Sequence, residues 1–133
     1  MNEKSKKRLQ DLNNALTEFE KVLNFDLKEF PSFIIMARIK SFEICYELTW
    51  KCIKDYVYAI GEECKSPMAC FKLGIAQGLI GANTNWKKLV EDRNLSTHTY
   101  NNENAKELEK NLKDYLKIFK KIQNNLVKAW KYY

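Results

Sequence analysis

Glycine and proline are scarce in this chain, and no long hydrophobic run is present. Its 133 residues include four glycines and two prolines, which are too few breaks for a β fold built from hairpins. No stretch of about 18 uninterrupted apolar residues occurs, and Met1 is followed by polar and charged residues. We therefore expect neither a membrane span nor a secretory leader, and we predict a cytoplasmic protein.

Histidine and closely paired cysteines are also lacking. The chain has one histidine, and none of its four cysteines forms a Cys-x-x-Cys pair. This set cannot complete a usual zinc site, so we predict no metal and no cofactor. We interpret the cysteines as reduced, buried thiols that pack as small apolar residues, and reject the disulfide framework of a secreted protein. The cysteines are Cys45, Cys52, Cys64 and Cys70.

Helical periodicity is what the chain does contain. Apolar residues recur at spacings of three and four, the pattern of amphipathic helices, and 133 residues fit one domain, residues 1–133. We predict an all-α fold, an up-and-down antiparallel bundle of about five helices. The predicted helices cover residues 3–23; 32 to about 60, capped by Ser32 after Pro31; 66–78; about 84–97; and one continuous helix from 101 or 102 to at least 126.

Positive charge is concentrated at the C-terminal end. The net charge is +6, and residues 101–133 carry eight lysines against four acidic residues. Several of these lysines fall within about 100° of arc on the predicted fifth helix. They either follow the phosphate backbone of a nucleic acid or form an ordinary solvated face. The RNA-contact candidates are Lys106, Lys110, Lys113 and Lys117, with Lys120 and Lys121 continuing the stripe.

Residues 93–100 (RNLSTHTY) bring together the residue types suited to chemistry on a phosphate. His98 is the side chain that exchanges protons near neutral pH, and Arg93 offers a planar fork of donors that suits phosphate. Five residues apart on a straight helix, the two do not share a face. Either the helix ends near Thr97 and His98 turns back, or two copies of the chain place their motifs opposite each other in a shared cleft.

Metal-independent RNA cleavage is the reaction that these residues suggest. The ribose 2′-OH would attack the adjacent phosphate, with His98 as general acid or base and Arg93 stabilising the phosphoryl oxygens. The alternative is that Arg93 forms a surface ion pair with Glu91 or Asp92 and that His98 merely ends a helix. Glu43 and Glu47, one turn apart on the second helix, either pair with Lys51 or face the cleft, and we expect them to be solvated or ion-paired and not catalytic.

Three segments in order resemble a known family. Residues 91–102 (EDRNLSTHTYNN) resemble the Arg-polar-x3-His-x-Tyr motif of the HEPN superfamily, particularly its HepT-like toxins, with Asn94 at the polar position. Residues 41–51 (SFEICYELTWK) and 66–80 (SPMACFKLGIAQGLI) resemble the nucleotidyltransferase substrate-binding branch of that superfamily. Together the segments extend the resemblance over roughly residues 5–130.

The resemblance implies a HEPN-like homodimer whose two motifs line a cleft at the interface. It further implies a HepT-like toxin, an endoribonuclease with Arg93 and His98 as catalytic residues, encoded beside a minimal nucleotidyltransferase antitoxin that attaches AMP to Tyr100 and silences it. The alternative within the family is a non-catalytic substrate-binding subunit of a two-component nucleotidyltransferase. A third reading is an interaction protein with a decayed site, and the aromatic end at Trp130, Tyr132 and Tyr133 either docks on a partner or frays.

Overall fold

The computed structural model describes residues 1–131, which form six α-helices and one short 3-10 helix and contain no β-strand. The all-α prediction is confirmed. No helix in this part of the chain is both long and apolar enough to cross a membrane. The helices are α1 Glu3–Leu23, α2 Pro31–Ala59, α3 Pro67–Ala76, α4 Trp86–Leu95, the 3-10 helix Ser96–His98, α5 Asn102–Glu109 and α6 Leu112–Trp130.

The two long helices α1 and α2 pack against each other, and α6 packs on both. Asn2 caps α1, its side chain accepting a hydrogen bond from the Ser5 backbone N–H at 2.8 Å, which satisfies one of the free donors at the helix start. The apolar faces predicted for α1 and for the last helical segment are buried throughout, as expected. They consist of Leu9, Leu12, Leu16, Phe19 and Leu23 in the first, and Leu108, Leu112, Tyr115, Phe119, Ile122 and Leu126 in the second.

The start of α2 differs from the prediction. Pro31 is the first residue of the helix, and Phe30 is its N-cap, with a φ of 51° in the left-handed region. Pro31 fits there because the first helical position needs no backbone N–H donor. The prediction that Ser32 caps the helix is therefore wrong, since α2 already begins at Pro31.

Arg38 joins the end of α1 to the rest of the bundle. This residue is buried, and its guanidinium donates hydrogen bonds to the backbone oxygens of Val22, Leu23 and Phe25 at 2.9, 3.1 and 2.8 Å. A further contact joins it to the Glu109 carboxylate at the end of α5. The last carbonyl groups of a helix lack N–H donors from within the helix. Arg38 provides donors to the carbonyl groups at and just after the end of α1.

The predicted fifth helix is two helices. α5 ends at Glu109 and α6 begins at Leu112, and the Asn111 side chain between them donates a hydrogen bond to Asp92 at 3.2 Å. The lysines predicted to form one stripe are consequently divided, with Lys106 and Lys110 on or just after α5 and the others on α6. The prediction that these lysines form one stripe on a continuous helix is wrong. Their contact with RNA stays a prediction.

Two of the four cysteines also depart from the prediction. Cys64 and Cys70 form a disulfide that links the loop before α3 to its first turns, so the interpretation of all four as reduced thiols is wrong. Cys45 and Cys52 are free and buried, as expected. Burial raises the pKa of both thiols from 9.0 to about 12, because a thiolate is poorly solvated in an apolar core.

The aromatic C-terminal end is ordered at Trp130. Its indole is 4% exposed and packs edge-to-face on Tyr56, with ring centroids 5.5 Å apart. Trp130 thus closes one end of the core and does not fray. Tyr132 and Tyr133 lie outside the described residues.

Candidate functional site

The residues predicted to carry chemistry lie on α4, on the 3-10 helix that continues it, and on the turn before α5. Asn85 caps α4, its side chain accepting a hydrogen bond from the Lys88 N–H at 3.2 Å, and Arg93 lies in the last turn of the helix. His98 ends the 3-10 helix. A 3-10 helix is wound more tightly than an α-helix and often forms its last turn. The structure therefore agrees with the prediction that the fourth helix terminates near Thr97.

Arg93 is held by two carboxylates of α2 and by Ser96, three positions further along the chain. Its Nη1 donates to Glu43 Oε2 and to Ser96 Oγ, both at 2.9 Å, and its Nε lies 3.7 Å from Glu47 Oε1. Ser96 Oγ lies 2.7 Å from the same Glu43 oxygen. The predicted alternative, in which Arg93 forms an ion pair with Glu91 or Asp92, is therefore wrong, because its partners are Glu43 and Glu47. Glu43 and Glu47 are ion-paired, as expected, but with Arg93.

This network is partly shielded from solvent. The Arg93 side chain is 24% exposed and the Glu43 side chain 19%, and Arg93 Nε is buried with no hydrogen-bond partner among residues 1–131. Partial burial strengthens the attraction between the guanidinium and the carboxylates. One guanidinium faces two carboxylates, so its positive charge is already balanced within the chain.

Asp92, next to Arg93, points the other way, into the core. It is 6% exposed and accepts hydrogen bonds from the Tyr115 hydroxyl and the Asn111 side chain. Burial, together with the hydrogen bond to the Asp92 carboxylate and its charge, raises the pKa of Tyr115, because the phenolate would be desolvated beside a negative group. Asp92 thereby anchors α4 to the start of α6.

His98 and Tyr100 are directed towards solvent. His98 is exposed, Tyr100 is 85% exposed, and their ring centroids are 6.0 Å apart in an edge-to-face arrangement. Within one chain the structure does not join His98 to Arg93 by any hydrogen bond among the described residues. Asn94, the polar residue of the motif, is exposed.

Two adjoining grooves run beside the motif, between the first half of α2 and the segment that contains the 3-10 helix. One has a volume of about 420 Å³ and is lined by Lys40, Glu43 and Thr99 among others. The other, of about 280 Å³, includes Tyr100 in its wall. Met36, Ile39 and Thr99 line both, so the two form one surface, which we call the motif groove.

The candidate site contains residues that the sequence does not indicate. Glu43 is evidently charged, but nothing in the sequence shows that it faces Arg93, 50 positions away. Ser96 lies within the motif, yet a serine near a helix end gives no signal of a role in a site. Its hydroxyl lies between Arg93 and Glu43 in the structure. The roles of Arg93, Asn94, His98, Tyr100 and the lysines remain predictions.

Comparison with known proteins places the chain in a family. The family model described as nucleotidyltransferase substrate binding protein like matches residues 7–128. The chain belongs to this family. The match covers nearly the whole bundle and agrees with the branch that the three sequence segments resemble. No curated protein matches the sequence.

Solved structures share the fold of this family member. A Thermus thermophilus protein is 25% identical, with a TM-score of 0.79, and the match covers 86% of this chain and 98% of the other. A Haemophilus influenzae protein, whose structure is described as revealing the fold of a substrate binding domain of a nucleotidyltransferase, is 21% identical with a TM-score of 0.78. That match covers 89% of this chain and 98% of the other, and it establishes the fold alone.

Proposed function

We propose that this chain is a substrate-binding subunit that works with a separate nucleotidyltransferase and holds the acceptor molecule in the motif groove. The family match over residues 7–128 is the observation that carries the proposal. The chain would present the acceptor, and the partner enzyme would supply the nucleotide and the transfer chemistry. This is the alternative reading of the sequence, and the family match supports it more directly than ribonuclease activity.

The motif groove has the properties of a small-molecule site. Small-molecule sites typically occupy roughly 300–1,000 Å³ and combine an apolar lining with a few polar groups. Met36 and Ile39 give the groove apolar walls, while Lys40 and Glu43 provide charges of both signs. Tyr100, exposed at its edge, is suited to contact the partner enzyme or the acceptor.

Filling the groove tests this proposal. Ala37 is exposed and lines the groove, so Ala37→Trp should fill it without disturbing the core. The chain is mixed with a partner nucleotidyltransferase, labelled ATP and a cell extract, and the labelled small molecules are separated. We expect label on an acceptor with the native chain and at least tenfold less with Ala37→Trp.

Ala76→Trp is the matched control, because Ala76 is an exposed helical alanine that lines neither part of the groove. It should leave transfer unchanged. Equal transfer with Ala37→Trp and Ala76→Trp, or transfer that does not depend on this chain at all, would refute the proposal.

A second candidate function is the HepT-like ribonuclease, with a homodimeric Arg93–His98 site and Tyr100 as the acceptor of AMP. The exposure of His98 beside Tyr100 favours it, since a general acid or base must reach its substrate. AMP on Tyr100 would add bulk and negative charge next to the imidazole. Mass spectrometry after incubation with the nucleotidyltransferase and ATP separates the candidates: label on Tyr100, lost in Tyr100→Phe, supports the toxin, and label on a third molecule supports the subunit.

Glu43→Gln tests whether Arg93 serves RNA. The glutamine side chain would retain an acceptor oxygen for Arg93 and Ser96 but remove one of the two negative charges that balance the guanidinium. For a ribonuclease, we expect the variant to bind and cleave RNA more strongly, with His98→Ala abolishing cleavage in either background. Glu107→Gln removes the same charge from an exposed pair with Lys110 and is the control. Absence of cleavage by all of these proteins, as folded dimers, would exclude the ribonuclease.

A further inference from the structure

Large apolar side chains are exposed in the turn between α1 and α2 and in the first turns of α2. Phe25, Phe30, Phe33 and Met36 are each 66–69% exposed, and Leu27 is 37% exposed. All five lie within residues 25–36, and we call them the aromatic patch. Scattered single apolar residues are ordinary on a protein surface, whereas a large group of them marks an interaction site. Apart from Met36, the proposed function uses none of these side chains.

The backbone that carries the aromatic patch is fixed. Arg38 donates a hydrogen bond to the backbone oxygen of Phe25 at 2.8 Å, and the Asp26 carboxylate accepts one from the Lys28 backbone N–H at 2.9 Å. The rings of Phe30 and Phe33 contact each other, with centroids 6.1 Å apart. A partner that binds here therefore has little to order in this chain, which favours affinity.

The conformation of Phe30 is a second sign that the patch acts outside this chain. Its φ of 51° is the one positive value among the non-glycine residues of the described part, 1–131. A bulky residue rarely adopts this conformation, and glycine would adopt it without strain. The exposed ring gives the fold little in return for the strain. Strained backbone is typical of functional positions, so the ring of Phe30 is better explained by a contact with a partner.

The charges around the patch indicate a protein as that partner. The exposed charged residues within 25–40 are Asp26 and Glu29 against Lys28 and Lys40, so their charges cancel. A nucleic acid requires an excess of basic residues, and an anionic membrane surface likewise attracts a basic segment. A neutral group of phenylalanines with a methionine instead resembles the core of a protein–protein interface.

The patch is large enough to be the centre of such an interface. A buried aromatic side chain removes about 150–250 Å² from solvent, so the three phenylalanines, two-thirds exposed, supply on the order of 400 Å². That is roughly half of the approximately 800 Å² that each partner buries in an interface of standard size. Tyr100, also exposed, continues the apolar surface on the far side of the motif groove.

The position of the patch selects the partner. Met36 lines both parts of the motif groove, and Ser32 and Ile35 line one of them, so the patch forms part of the rim. An acceptor held in the groove must meet the enzyme that supplies the nucleotide, and that enzyme must cover the rim. A second copy of this chain on the patch would obstruct it. We propose that the aromatic patch is the docking surface for the nucleotidyltransferase, through an apolar, uncharged surface of that enzyme. The proposal rests on the proposed function.

A charge placed in the patch tests the proposal. Phe33→Glu alters an exposed helical residue that lines neither part of the groove. Tyr58→Glu is the matched control, because Tyr58 is an exposed aromatic residue of the same helix, 25 positions further and thus about 37 Å away. Calorimetric titration of the full chain with the partner nucleotidyltransferase measures binding. We expect Phe33→Glu to raise the Kd at least tenfold and Tyr58→Glu to leave it within twofold of the native value.

Phe30→Gly separates docking from folding. Glycine tolerates the positive φ and is acceptable at an N-cap, so the melting temperature should not fall. Binding of the nucleotidyltransferase should nevertheless weaken at least tenfold, because the exposed ring is gone. A residue that served only the fold would show the opposite pattern, with a lower melting temperature and unchanged binding.

Several results would overturn the proposal. They are equal binding by Phe33→Glu and Tyr58→Glu, no binding by the native chain, that opposite pattern in Phe30→Gly, and sedimentation of the native chain as a dimer that Phe33→Glu dissociates. The last would show that a second copy covers the patch. The titration contains no acceptor, so it is independent of the transfer assay. Patch-dependent binding without any labelled acceptor would refute the proposed function alone, and chain-dependent transfer with unaltered binding by Phe33→Glu would refute the docking surface alone.

Discussion

Removal of the Tyr115 hydroxyl should destabilise the protein more than removal of any other phenol in its core. In Tyr115→Phe, the buried carboxylate of Asp92 loses a hydrogen-bond donor and, among residues 1–131, retains only Asn111. Hydrogen bonds to charged groups contribute about 1.5–3 kcal/mol, and the desolvated carboxylate cannot recover this from water. We therefore expect the free energy of unfolding to fall by about 2 kcal/mol, or by roughly 5–10 °C in melting temperature.

Urea unfolding followed by circular dichroism at the helical band measures this loss. Tyr46→Phe is the matched control, because Tyr46 is 2% exposed in the same core and its hydroxyl makes no hydrogen bond within residues 1–131. We expect that variant to lie within about 0.5 kcal/mol of the native protein. If the two variants are equally stable, Asp92 does not depend on Tyr115, and the account of how α4 is anchored is wrong.

Three further predictions concern the rest of the core. Because Cys45 and Cys52 keep their protons in the fold to a pKa of about 12, their contribution to the unfolding free energy should be constant below about pH 8 and begin to fall as the pH approaches 9, where the thiols of the unfolded chain ionise. It should then decrease by up to about 1.4 kcal/mol per pH unit per thiol as the pH rises from 9 towards 12; urea unfolding at pH 8, 9 and 10 should show a slope that the double alanine variant lacks. Arg38→Met should lower the free energy of unfolding by about 3–5 kcal/mol, because it leaves buried carbonyl groups and a carboxylate without a hydrogen-bond donor. Lys21→Met, at an exposed position, should lower it by less than about 0.5 kcal/mol. Chemical denaturation of both variants measures the difference. Cys64→Ser should lower the free energy of unfolding by roughly 2 kcal/mol, because the disulfide no longer closes a short loop. In thermal melts with a reducing agent, the variant and the native protein should have the same melting temperature.

Local pattern was sufficient to predict most of the helices. The leucines of α1 and the apolar residues of α6 are spaced so that only one face of each helix is hydrophobic, and that face is buried in the structure. The third helix begins as its Ser66-Pro67 pair indicates, with the Ser66 hydroxyl accepting from the Ala69 N–H at 3.2 Å. In each case the determining contacts lie within one helix or its first turn.

The errors arise where a distant residue determines local structure. The break between α5 and α6 contains no glycine or proline; Asn111 instead bonds to Asp92, 19 positions earlier. The pairing of Cys64 with Cys70 cannot be read from a spacing that is equally compatible with two free thiols. Arg93 likewise finds its partner 50 positions away. A single sequence without any alignment gives no information on such contacts.

The electrostatic surroundings of Arg93 explain why the motif and the family suggest different functions. A motif specifies which residue types are present, whereas the ability of an arginine to bind phosphate depends on whether its charge is already neutralised. Here the neutralising groups, Glu43 and Glu47, lie outside the motif, on one face of α2. Two family members with the same motif but different residues at these two positions would therefore differ in phosphate binding. In this chain the carboxylates leave Arg93 suited to fixing the end of α4 against α2, and the acceptor site that we propose is the open groove beside it.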